Sequence, residues 1–168
     1  MKDKTESRVF IGVGSNINPF ENIKAALALL KTHVTVTAVS PFYRSRAVGT
    51  SNQPDFVNGI IRIAATAAPR ALKIGVLRVI EDRLGRVRTA DKNSARTMDL
   101  DIVLFGEIIV TEPDLVIPDP GLVRYPFVGI PLLDLEPELV VPGTGKKLKS
   151  YFPRSAQNYG LESLPDFP

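Results

Sequence analysis

The chain has no cysteine, one histidine and no long apolar run. Without cysteine there are no disulfides and no thiolate nucleophile or metal ligand. One histidine, His33, at an expected helix-to-strand junction, cannot build a zinc cluster or a histidine-based triad and reads as a surface residue. A membrane span needs about 18–20 apolar residues, and the stretch IIRIAATAA is interrupted by Arg62. No GxxxxGK[ST] loop occurs. GVGSN carries two glycines, but Ile17 stands where a dinucleotide fingerprint needs its third, so P-loop and Rossmann sites are excluded. The first residues, MKDKTESRVF, mix both charge signs and lack the apolar centre of a secretory signal, so a cytoplasmic location is expected. Net charge is only +3, too small for a nucleic-acid signature, and neither nucleic acid nor membrane is an expected partner.

What is present is an ordinary globular composition, 44% hydrophobic and 23% charged over 168 residues, which suits one domain spanning 1–168. RVFIGVGSN reads as a buried strand. Asn18, Pro19 and Glu21 then read as a cap, a first-turn proline and a capping-box glutamate, opening a helix of about three turns with Ile23, Leu27 and Leu30 inward. VTVTAVSPFYRS is a strand interrupted at Pro41, RAVGTSNQPD a loop and FVNGIIRIAAT a strand. Leu72, Val76, Ile80 and Leu84 mark a second helix ending at Gly85, and RVRTADKNSA has no period and reads as a mobile loop. EIIV is placed to pair with MDLDIVLFG across a Gly-Glu turn; prolines then leave room only for a short helix around 127–133. From about 143 the tail is expected to pack loosely. The order β-α-β-β-α-β predicts an α+β, ferredoxin-like fold with an antiparallel-rich sheet and helices on one face.

The chemistry concentrates in RTMDLDIVLF. Strand alternation points Met98, Leu100, Ile102 and Leu104 one way and Asp99, Asp101, Val103 and Phe105 the other. The two aspartates are then side by side, with α-carbons roughly 6.5–7 Å apart. Arg86, Arg88 and Arg96 lie in the loop just before them. Two readings stand at this point: hard-oxygen ligands for Mg²⁺ with arginines for phosphate, or carboxylates that merely pair with the loop arginines. Phosphoryl transfer suits a chain so poor in bases, since positioning and charge neutralisation carry most of the catalysis.

VGSN, FYRS, NQPDFVNG and ExxxGRVR followed by ARTMDLDIVLFG together resemble the 6-hydroxymethyl-7,8-dihydropterin pyrophosphokinases of folate biosynthesis, over about Arg8 to Pro142. The resemblance implies transfer of diphosphate from ATP to the pterin hydroxymethyl group, with release of AMP. It implies two Mg²⁺ ions on Asp99 and Asp101, with Arg86 and Arg96 closing on the phosphates. Glu81, Arg88, Ile102, Asp119 and Arg124 join Arg86 and Arg96 on the ATP side. Ser45, Arg46, Val48, Phe56, Asn58, Asn93 and Phe127 address the pterin, Asn58 by hydrogen bonding and Phe127 by stacking. The partners implied are ATP and a reduced pterin, bound by a monomer.

Four positions depart from the pattern. Asp119 stands where histidine is usual, Asn93 where many members carry tryptophan, and Arg46 where proline is common. Arg124 falls one residue before the family's arginine, whose place is Tyr125. Arg124 is therefore expected to fold back onto Asp119. The departures keep two alternatives open: a relative acting on a modified pterin, and a nucleotide-binding relative without turnover. An RNA-binding ferredoxin-like domain would need aromatic strand positions that are missing here.

Overall fold

A computed structural model describes residues 6–49 and 52–168. Strand β1 (Ser7–Ser15) is followed by helix α1 (Pro19–His33), strands β2 (Thr35–Val39), β3 (Phe42–Ser45) and β4 (Phe56–Ala65). A second helical segment runs from α2 (Pro69–Leu72) through a π-helical turn (Lys73–Leu77) into α3 (Arg78–Arg83). Then come β5 (Asp99–Phe105), β6 (Val110–Glu112), β7 (Leu115–Ile117), α4 (Gly121–Arg124), α5 (Pro126–Leu135) and β8 (Glu162–Leu164). Of the loop expected over 46–55, Thr50 and Ser51 lie outside the described residues.

The main sheet has the order β5-β1-β4-β3-β8, with β2 also on β4, and every pairing is antiparallel. β2 and β3 behave as one strand broken at Ser40–Pro41. The break is bridged: Ser40 Oγ accepts the Ile60 amide at 2.8 Å, and the Ser40 amide donates back to the Ile60 carbonyl at 2.9 Å. The first four ferredoxin-like strand positions are thus filled as expected.

Helices cover both faces, not one. Val9, Ile11 and Val13 of β1 pack with Ile23, Leu30, Leu77 and Ile80 on one side. Phe10, Ile60 and Leu104 pack on the other with Leu122, Ile130 and Leu132. Burying each such aliphatic side chain is worth about 1.5–3 kcal/mol, so a two-sided sheet roughly doubles what its strands contribute. The tail packs on both cores: Leu148, Phe152 and Leu161 are buried in the second, β8 extends the sheet beyond β3, and Phe167, on the first, meets Phe42 and Phe20 edge-on. Loose packing beyond 143 is therefore corrected; the tail's apolar residues are spread through irregular chain, which has no period to read.

Three local expectations also change. Asn18 starts α1 with φ 42° and no side-chain capping bond, and α1 is a 15-residue helix of about four turns. EIIV does not pair with β5; Val110–Glu112 instead forms a hairpin with β7. In β5, Ile102 pairs with Ile11 and Leu104 with Phe10, so Val103 is an extra residue, a β-bulge. Met98, Leu100 and Ile102 face the first core as the alternation predicts, but past the bulge Leu104 turns to the second core and Phe105 to the first.

Candidate active site

Two glycines make the floor of the site. Gly14 of β1 lies between Asn58 of β4 and Asp99 of β5, and Gly12 lies between Ile60 and Asp101. A Cβ at Gly14 would stand 3.0 Å from Asn58 Oδ1, and one at Gly12 would stand 3.1 Å from Val103 Cγ2. The central strand is bare here so that its neighbours' side chains can converge over it. Above this floor is a cavity of about 260 Å³, lined by Asp99, Asp101, Asn58, Ser45, Phe56 and Phe127 among others.

The bulge completes the acidic end. The Val103 carbonyl accepts the Asp119 amide at 2.9 Å, which fastens the segment after β7 beside β5. Asp119 Oδ1 accepts the Gly121 amide at 2.6 Å, and both residues line the cavity. A second cavity, also about 260 Å³, adjoins the first: Asp101 and Asp119 line both, and Lys73, Ile102, Asp114 and Pro120 line the second.

The two aspartates are in different states. Asp99 is paired, with Arg96 Nη1 at 2.7 Å and Arg86 Nη1 at 3.7 Å. Asp101 has no ion-pair or hydrogen-bonding partner on its side chain among the described residues. It is open to the water of the cavity, yet set among protein and other carboxylates. Its carboxyl is pushed up to about 7, by desolvation first and then by Asp99, Asp119 and Glu81. Burial also raises Asp119. Asp99 is thus neutralised by the loop arginines, whereas Asp101 is not.

Asp99, Asp101, Arg96, Asp119, Ser45, Arg46, Val48, Phe56, Asn58, Asn93 and Phe127 all reach the first cavity, and Ile102 reaches the second. Asn58 Nδ2 donates to Ser45 Oγ at 2.9 Å, which fixes the amide's orientation. Arg86 lies just behind Asp99, donating to the Met98 carbonyl at 3.1 Å. Glu81, Arg88 and Arg124 line neither cavity. Glu81 is buried on the helix side of β5, where Oε1 accepts the Leu100 amide at 2.8 Å; it caps the edge-strand amide between the two aspartates and does not line a cavity. Arg88 pairs with Glu81 and Asp82. Arg124 does not fold onto Asp119: its guanidinium lies 5.3 Å from the Tyr125 ring centre, and the Gly121 amide takes the place expected for it.

Ser15 and Asn16, the last two residues of the VGSN stretch, are both buried clamps. Ser15 Oγ donates to the Thr97 carbonyl at 2.6 Å. Asn16 Oδ1 accepts the Arg96 amide at 2.8 Å, while its Nδ2 donates to Gln53 Oε1 and the Pro54 carbonyl at 3.2 and 3.1 Å. A single asparagine thereby ties both cavity-mouth loops to the end of β1. Tyr125, Lys92 and Lys73 are further lining residues the sequence did not mark; their spacing forms no motif.

Among the described residues no helix is long and apolar enough to cross a membrane. A Pseudomonas aeruginosa 2-amino-4-hydroxy-6-hydroxymethyldihydropteridine pyrophosphokinase is 38% identical over 161 residues, 94% of this chain and 97% of that one. A Synechocystis protein of the same name is 36% identical over 82% of this chain and 71% of its own. In structure the chain resembles a Plasmodium falciparum HPPK-DHPS crystal structure with pteroate, at TM-score 0.69 and 11% identity; the match covers 95% of this chain but only 46% of that one, and supports the fold alone. The family model for 7,8-dihydro-6-hydroxymethylpterin-pyrophosphokinase matches residues 10–137, and with relatives this similar over 71% and 97% of their own length the chain belongs to that family.

Proposed function

We propose that the protein transfers diphosphate from ATP to the hydroxymethyl oxygen of 6-hydroxymethyl-7,8-dihydropterin, leaving AMP. The observation that carries this reading is the pair of cavities meeting at Asp101 and Asp119. One has the partners a flat, polar heteroaromatic ring needs: the Phe56 and Phe127 rings and the buried Asn58–Ser45 pair. The other is available to the nucleotide, with the phosphates crossing the shared acidic wall. In this reading the pterin oxygen attacks the β-phosphorus, the bond from that phosphorus to the oxygen of the α-phosphate breaks, and AMP departs.

The donor set fits Mg²⁺. Among the described residues no three or more histidine, cysteine or acidic groups are close enough to hold a metal by themselves. Mg²⁺ commonly uses one or two carboxylates and takes its remaining ligands from waters and phosphate oxygens. Asp99 and Asp101 would hold two such ions, which would supply charge neutralisation across the phosphates. Arg96 is enclosed by protein partners, donating to Asp99, Ser94 and Lys92, while Arg86 keeps a buried Nε–H without an acceptor. We infer that nucleotide binding exchanges partners: Asp99 turns to metal and the two arginines to phosphate oxygens. The test is AMP formation from ATP and Mg²⁺ with and without 6-hydroxymethyl-7,8-dihydropterin. AMP release that depends on the pterin supports the reading; a rate indifferent to pterin refutes it.

A further inference from the structure

The second cavity contains a cation for which the reaction has so far found no use. Lys73 begins the π-helical turn, and its half-buried side chain reaches the hairpin, where Nζ donates to the Asp114 carbonyl. Among the described residues lining this cavity it is the only cation, facing Asp101, Asp114 and Asp119. Asp114 has other partners: Arg70 grips it through both terminal nitrogens, at 3.0 and 2.8 Å, and pairs with Glu112 as well. Lys73 itself forms no ion pair among the described residues; its contact is with a neutral main-chain oxygen. Desolvation raises Asp101 and Asp119, and the Lys73 charge opposes that rise in part, as its place beside both carboxylates requires.

A nucleotide entering here presents phosphate to the only lining cation. If the pterin fills the first cavity and the β-phosphorus must approach it over Asp101, the phosphate on the far side of the shared wall is the α-phosphate. We propose that Lys73 binds the α-phosphate of the nucleotide, the group that remains with AMP, and holds the nucleoside end in the second cavity. This rests on the diphosphate-transfer reading above. The π turn matters to the assignment. Leu72 and Leu77, five apart, are both fully buried, so the widened turn keeps the helix seated on the core while Lys73 is presented to the hairpin.

The test uses calorimetry with AMP and with α,β-methylene-ATP plus Mg²⁺, and NMR shift titration with adenosine, on wild type, Lys73→Met and Lys73→Arg. A charge-assisted hydrogen bond to phosphate corresponds to about 10- to 100-fold in affinity. Lys73→Met is expected to weaken AMP and the ATP analogue by that factor and to leave adenosine unchanged, with Lys73→Arg retaining most of the affinity. In turnover, Lys73→Met should raise KM for ATP more than it lowers kcat. Unchanged AMP affinity, or an equal loss for adenosine and AMP, overturns the assignment. If wild type itself fails to bind the analogue with Mg²⁺, the diphosphate-transfer reading falls too; wild-type binding that Lys73→Met preserves removes Lys73 alone.

Discussion

Asn16→Ala should loosen the mouth of the site and cost stability in proportion to the bonds it breaks. The side chain is 3% exposed and makes three hydrogen bonds, to the Arg96 amide, Gln53 and Pro54. At about 1 kcal/mol net for each, the sum is about 3 kcal/mol. Water entering beside the part-buried Gln53 and Pro54 groups offsets some of this, and an unsatisfied Arg96 amide adds to it. The expected loss is about 2–4 kcal/mol. Asn16→Asp keeps the acceptor for Arg96 but sets a carboxylate against two oxygens, so it should be no more stable than alanine. Urea unfolding of the three proteins gives the values, with an unchanged m-value as the check that only stability has moved. Turnover should fall as well, because the Arg96 main chain leads directly into Asp99. A loss below about 1 kcal/mol, less than a single such bond, would refute the picture of Asn16 as the joint between the two loops.

Asp99→Ala and Asp101→Ala should each remove nearly all AMP formation while the fold persists by circular dichroism; wild-type turnover in either would exclude metal binding at that carboxylate. For the ligand-free protein the folded-state Asp101 carboxyl lies near 7 and its ordinary value is 3.8. Between about pH 4 and 7 the folded state therefore binds the extra proton, and stability should rise as pH falls through that window. Asp101→Asn should flatten this part of the profile, which thermal unfolding at several pH values will show. Gly14→Ala places a methyl 3.0 Å from Asn58 Oδ1. It should weaken pterin binding at least about tenfold, by the loss of one oriented hydrogen bond, with little change for an ATP analogue; equal loss for both ligands would argue against a pterin-side floor.

How far the sequence could be read depended on whether a feature leaves a periodic or compositional trace. Met98, Leu100 and Ile102 alternate as strands do, and that alone placed Asp99 and Asp101 together. The bulge at Val103 carries no glycine or proline to announce it, so the faces of Leu104 and Phe105 were inverted. Val76 packs against the core as its spacing predicts, but Leu77 beside it is buried as well, because the widened turn adds one residue to the inward face. The residues that the family resemblance implies for the pterin share one cavity because Ser45, Phe56 and Asn58 lie on the neighbouring strands β3 and β4. Arg124 was misplaced because its aromatic neighbour, Tyr125, offers a guanidinium a surface that chain distance from Asp119 does not reveal. Lys73 needed three separate segments to be folded before it had a meaning.

The π turn also sets a phase relation along its helix. Each residue of an α-helix advances about 100° around the axis, so a widened turn lets the segment before it and the segment after it keep different rotational settings. α3 is tied to β5 through Glu81, and α2 is tied to the β6–β7 hairpin through Arg70. Deleting Gly75, around which an added Cβ would meet nothing, would return the helix to a single phase without opening a packing defect of its own. One of the two attachments would then have to break. A variant of that kind should retain the helix by circular dichroism yet lose either the aspartate-bearing edge strand or the hairpin as a protected unit in hydrogen exchange, and which one is lost reports which attachment is the weaker.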